Sequence, residues 1–115
     1  MSMYQFYFPI QTTLVPCFID EKGRILKLNE SLLVIEHIGN IHERNVYQGT
    51  NWKDKNGNEI IEGHILEHKY AFKVEIRRNK YDQLIPYSLS NRGFLDTLIY
   101  YLSDSEIIGH VGIKQ

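Results

Sequence analysis

"TNWKDKNGNEIIEGHILEHKY", Thr50–Tyr70, admits two readings. His64 to His68 spell H-x-x-E-H, the spacing of a zinc-hydrolase helix. Lys53 to Gly63 spell a turn that feeds a strand. The choice between helix and strand decides the chemistry. On a helix, residues i and i+4 lie about 6 Å apart on one face and can share a metal. On a strand the same two histidines stand about 13 Å apart, at ~3.3 Å per residue. Asn56-Gly57 is a strong turn signal. Downstream the residues alternate, with Tyr70, Phe72, Val74 and Ile76 on one face and Ala71, Lys73, Glu75 and Arg77 on the other. That is the period of a half-buried antiparallel strand. The segment therefore reads as strand. His64 and His68 then read as residues of a solvated strand face or a loop, sharing no metal.

The rest of the chain is mostly β in pattern. "YQFYF", Tyr4–Phe8, is an aromatic strand that Pro9 should end. "TLVPCFI" and "RILKL" flank "DEKG", which predicts a hairpin from about Leu14 to Leu28 with Gly23 at positive φ. "SLLVIEHIGNIHERNVYQG", Ser31–Gly49, places Gly39-Asn40 between β-branched arms. A tight hairpin turn is expected there, in preference to a helix. "RNKYDQ" turns the chain, and "LIPYSL", Leu84–Leu89, is a short strand that Pro86 should confine to an edge. One helical pattern stands out in "NRGFLDTLIYYLSD", Asn91–Asp104. Phe94, Leu95, Leu98, Ile99 and Leu102 share a helical face, so a helix is expected over about 91–103, capped by Ser90 or Asn91. "EIIGHVGI", Glu106–Ile113, closes as a strand and echoes His37–Glu43 in pattern.

"YQGTNWKDKNGNEIIEGHIL", Tyr47–Leu66, is similar to the signature of phage and prophage YopX proteins. Those read like Q-Y-T-G-L-K-D-K-N-G-K-E-I-Y-E-G-D-I-V. Lys53, Asp54, Lys55, Asn56, Gly57, Glu59, Ile60, Glu62, Gly63 and Ile65 agree position by position. Glu106–Val111 resembles the family's closing strand. Asn51 and Trp52 stand where Gly-Leu is usual, and His64 stands where Asp is usual. The N-terminal third lacks the family's usual opening. The resemblance implies an SH3-like barrel in the C-terminal two-thirds and a phage, prophage or mobile-element source. It brings no catalytic or binding residue with it. The expected fold class is mainly β with one helix. Residues 1–46 form a β-hairpin region and 47–115 a YopX-like, SH3-type barrel region, or the two form one continuous domain.

Composition bounds the chemistry. The 115 residues are 43% apolar and 23% charged, as in one ordinary globular domain. A formal charge of −1 gives no global field to steer the chain onto nucleic acid or anionic lipid. Cys17 is the sole cysteine, so no internal disulfide forms, and its apolar neighbours predict a buried, inert thiol. No apolar run reaches the ~18 residues of a membrane helix, and the N-terminus lacks the marks of a signal peptide. A cytoplasmic protein of a bacterial host, with no membrane partner, is expected.

Specific chemistries rank accordingly. No cofactor, metal or catalytic residue is expected. A three-histidine site from His37, His42 and His110 is conceivable only if the echo strands pair. Glu59 and Glu62 should face opposite sides of a strand as solvated or ion-paired groups rather than as an acid–base pair. The leading expectation is a non-catalytic accessory protein acting through protein–protein contact, as a host- or defence-modulating factor in one form. Trp52, Tyr100 and Tyr101 are the candidate partner-binding residues, because aromatics outside an apolar face suit interfaces. The alternative is a nucleic-acid-binding barrel using Arg77, Arg78, Lys80 and Tyr81. A metal-dependent enzyme ranks third. A homo-oligomer is compatible with the sequence.

Overall fold

The computed structural model describes residues 6–29, 34–41, 45–70 and 72–113. Tyr4, Ser31 to Leu33, His42 and Ala71, which carry parts of the expectations above, lie outside those residues. The chain runs β1 (Phe6–Ile10), β2 (Thr13–Ile19), β3 (Arg24–Asn29), β4 (Val34–Asn40), β5 (Tyr47–Lys53), β6 (Glu59–Ile61), β7 (His64–His68), β8 (Lys73–Arg78), β9 (Leu84–Ser88) and β10 (Gly93–Phe94). A 3₁₀ helix, η1 (Asp96–Asp104), precedes the last strand, β11 (Ser105–His110). The fold is thus mainly β with one helix. Strands pair as two antiparallel sheets, ordered β4-β3-β2-β1-β5-β6 and β10-β9-β8-β7-β11. Neither ladder closes on itself among the described residues, so a closed barrel is not what the pairing gives.

Two cores form, and the larger draws on both sheets, taking Ile60 from β6 and Trp52 from β5. Ile60, Leu66, Val74, Ile76 and Leu102 are buried together, with Trp52, Phe72, Leu84, Leu98 and Ile107 packed around them. Phe8, Cys17 and Ile25 form a smaller cluster under the first sheet. Each such aliphatic side chain removed from water stabilises the fold by roughly 1.5–3 kcal/mol. Cys17 is buried as expected, and burial pushes its thiol up to about 11.

Several expectations hold. β2 and β3 form the predicted hairpin, with Phe18 opposite Leu26 and Gly23 at φ 77°. Asp20 holds that turn by accepting from the N–H groups of Lys22 and Arg24. The Asn56-Gly57 turn joins β5 to β6.

Others are corrected. β1 runs through Pro9 to Ile10. β5 pairs only with Phe6 and Tyr7, so at Pro9 one flank of β1 has no ladder to lose. Gly39-Asn40 is not a turn but the end of β4, opposite Ile25 and Arg24, where a bulge in the pairing takes up the extra residue. β8 starts at Lys73, and Tyr70 sits exposed in the preceding turn rather than on the core face. β9 is second from its edge, covered by the two-residue β10, and the Pro86 carbonyl accepts from Leu95 N–H.

The expected helix over 91–103 becomes β10 followed by η1. Leu102 is buried and Leu98 and Ile99 half-buried, but Phe94 and Leu95 are exposed. Geometry gives the reason. The chain must pass from β10 at one edge of the five-stranded sheet to β11 at the other. Four strand spacings span roughly 19 Å. Nine residues at the 3₁₀ rise cover about 18 Å, against about 13.5 Å as α-helix. Aromatic and β-branched residues, Thr97, Ile99, Tyr100 and Tyr101, also weaken the α form.

Candidate functional site

The two sheets meet at the Gly63 corner, inside the stretch that first suggested a metal site. Gly63 N–H donates to the Ile76 carbonyl at 2.8 Å, and its carbonyl accepts from Val111 N–H at 3.0 Å. Its φ is 90°, and a Cβ there would lie 2.8 Å from His110 Nε2. Only glycine fits such a crossing. The chain therefore leaves β6 in one sheet and enters β7 in the other.

β7 corrects the expectation for its histidines. His64, Leu66 and His68 all face inward, and Glu67 faces solvent. His64 is 9% exposed and His68 2% exposed, so neither belongs to a solvated face. The alternation that separates them also buries both. His64 Nδ1 accepts from Ile61 N–H at 2.8 Å, and its ring stands edge-on to His110. His110 accepts from Gly112 N–H at Nδ1, which leaves Nε2 to donate to the Glu62 carbonyl. Burial holds both imidazoles neutral, with His64 pushed down to about 4 and His110 also lowered. The three-histidine expectation fails on topology. His37 lies in β4 and His110 in β11, in different sheets, and His42 is outside the described residues. Among the described residues no three of His, Cys, Asp or Glu gather as metal ligands.

Arg78 is the polar centre of the joint. Nε and Nη2 donate to the two Glu62 oxygens, and Nη2 also to Gln48 Oε1. Nη1 donates to the Asp82 carbonyl and to its carboxylate. All five guanidinium N–H groups are thereby used. Arg77 is held too, with Nε and Nη2 on Glu75 and the guanidinium 3.8 Å over the Tyr87 ring. Of the candidate nucleic-acid residues, Lys80 and Tyr81 remain outward, with Lys80 Nζ 5.1 Å over the Tyr81 ring. Glu59 and Glu62 do not act on a common point. Glu59 accepts from the Tyr7 hydroxyl and from Asn51 N–H, whereas Glu62 serves Arg78 and Gln48.

Trp52 joins Arg78 in one cleft of about 380 Å³, on the β5 side of the joint. β5 bulges between Gly49 and Lys53, and Asn51 takes φ 68°, a left-handed conformation that asparagine tolerates. Thr50 Oγ1 fixes the bulge, accepting from Trp52 N–H and donating to the Ile60 carbonyl.

A second surface forms around His68. Phe72 stacks on the imidazole at 4.7 Å, Tyr70 covers it at 5.1 Å, and Tyr101 meets it edge-on at 5.7 Å. His68 Nδ1 accepts from Tyr70 N–H, and Nε2 is buried against aromatic carbon with no polar partner among the described residues. Outward, Tyr70 is 77% exposed, Tyr101 49% and Tyr100 83%. No protein-family model and no curated protein matches this sequence. Function must be read from these surfaces.

The structure thus separates the predicted residues into two places. Tyr100 and Tyr101 lie on η1, and Tyr101 joins the patch on His68. Trp52 and Arg78, singled out for different partners, share the cleft. Two residues take roles other than those the sequence suggests. Tyr70 was placed on the core face. Asp54 passed as part of a motif, yet its carboxylate is the anchor of the turn, and the D-x-N-G spacing of an Asx turn is the signal that marks it.

Proposed function

We propose that this is a non-catalytic accessory protein of a phage or mobile element, acting in the bacterial cytoplasm by binding another protein. The observation that carries it is the aromatic patch. Tyr70 and Tyr101 are held on a buried histidine, so they offer exposed ring area at little conformational cost. The YopX-like signature at Lys53–Gly63 supports the phage source. An SH3-like barrel for the C-terminal part belongs to the same proposal, supported by the antiparallel meander β7–β10 and the return of β11 beside β7. Nucleic-acid binding is the weaker reading, because Arg77 and Arg78 are consumed by carboxylates.

Tagged protein should retain one bacterial protein in stoichiometric amount. The double variant Tyr70→Ser, Tyr100→Ser should release it while still unfolding cooperatively, with at most a small drop in melting temperature from the loss of the Tyr70 cover on His68. Retention by that variant overturns the patch as the interface. A gel shift of labelled DNA or RNA that fades with salt would favour the nucleic-acid reading instead.

A further inference from the structure

We infer that the Trp52 cleft holds a positively charged side chain, guanidinium or ammonium, presented by a partner polypeptide. Gln48, Trp52, Arg78, Asp82, Gln83 and Leu84 form most of its wall. An anion would normally be assigned to Arg78. Here every guanidinium N–H is already bonded to Glu62, Gln48 or Asp82, so none is left for an added phosphate or carboxylate. The lining carries Arg78 and Asp82, and Glu62 lies behind the wall on Arg78, so the arginine and the two carboxylates it bonds sum to one net negative charge.

That charge is concentrated at the mouth. Glu62 is turned inward on Arg78, with its side chain 21% exposed, whereas the Asp82 side chain is 82% exposed. Asp82 receives Arg78 on Oδ1. Its Oδ2 receives no protein donor among the described residues. A neutral apolar ligand would have to desolvate this carboxylate without compensation. A cation offsets it and can also lie against the indole of Trp52. The bulge at Asn51 sets that indole into the wall, and Thr50 locks the bulge, so the site is preformed. Volume agrees, since about 380 Å³ is within the range of small-ligand sites and ample for one long side chain.

The inference deepens the protein-binding reading but occupies a different surface from the aromatic patch. Its test uses no natural partner, so its failure leaves the patch standing. Trp52 is the sole tryptophan, and its fluorescence reports on the cleft directly. The intact protein is titrated with a blocked tri-arginine peptide and, separately, with a blocked tri-glutamate peptide. A saturable change with the arginine peptide, weakened by added salt, is expected. Asp82→Asn should lower that affinity up to about fivefold, the range of one exposed ion pair. Asparagine tolerates the φ of 63° at this position and still accepts from Arg78, so the variant keeps the fold. Trp52→Leu, followed by calorimetry, should lose the heat of binding. No saturable response, equal affinity in Asp82→Asn, or a stronger response to the glutamate peptide overturns the inference.

Discussion

At the scale of single residues, the quoted stretch is held by side chains that bond the backbone. Asp54 is 5% exposed. Oδ1 accepts from the N–H groups of Asn56 and Asn58, and Oδ2 from Ile107 in the last strand. Three backbone donors therefore depend on one carboxylate. Asp54→Ala should cost about 3 kcal/mol, read by urea denaturation, because the orphaned N–H groups lose their acceptor. Asp54→Asn should recover part of that. The histidines at the Gly63 corner make a second prediction. His64 titrates near 4 in the fold, against ~6.5 in an unfolded chain. Between those values the unfolded state binds more protons, so stability falls as the solution is acidified. It is complete above about pH 6.5 and lost progressively toward pH 4, by an amount on the order of 3 kcal/mol. Denaturation midpoints measured across that window should show it. His64→Asn, which keeps an acceptor for Ile61 N–H, should flatten the slope. An unchanged slope would reject His64 as its source.

At the scale of elements, η1 carries two adjacent tyrosines with opposite duties. Tyr100 is 83% exposed. Tyr101 closes over His68 and Phe72, and its carbonyl accepts from the Ser105 hydroxyl. Tyr100→Ala should leave the melting temperature within error. Tyr101→Ala should uncover His68 and lower stability by about 1–2 kcal/mol, seen by thermal unfolding. The same pair shows what sequence could and could not reveal. Alternation identified β8 as a strand, because a period of two is a local property of the chain, and the turn before His64 and the pattern after His68 placed β7 with it. Turn residues marked the β2–β3 and β5–β6 hairpins, because Gly23 and Asn56-Gly57 act through local φ. η1 was misread because its apolar spacing fits an α-helix, and only the distance between sheet edges selects the longer 3₁₀ form. His64 and His68 were assigned to solvent because their burial depends on Phe72, Tyr101 and His110, partners distributed along the chain. Half of the candidate surfaces were therefore visible as residue types, and their grouping into a cleft and a patch was not.

At the scale of the whole molecule, two cores are spread over two sheets, because the larger takes Ile60 and Trp52 from the end of the first sheet. Within the first sheet, β1 meets β5 at Phe6–Gln48 and Tyr7–Tyr47, and Tyr7 bonds Glu59, whereas Gly63 to Ile76 and Val111, Lys55 to Ser105 and Asp54 to Ile107 cross between the sheets. Arg78 adds a reach from β8 to Gln48 on β5 and to Glu62 at the corner. The smaller core rests on three fully buried side chains, Phe8, Cys17 and Ile25, and meets the rest of the fold through β1–β5 and through Phe6 and Val46, which line a hollow with Arg78. Arg78→Met keeps the aliphatic stem but strands Glu62 without its cation. A loss of about 2 kcal/mol is expected, modest because both side chains are partly exposed. The more telling effect is where the loss falls. In the parent protein the amides of β2 and β3 should exchange by the same global opening as those of β7 and β8. In Arg78→Met the first set should exchange faster than the second, as the smaller core opens on its own. Residue-resolved hydrogen exchange measures this. Equal acceleration in both sheets would mean that β1–β5 pairing and the Gly63 corner couple the cores without Arg78. That outcome would leave the arginine as a wall of the Trp52 cleft rather than as a joint.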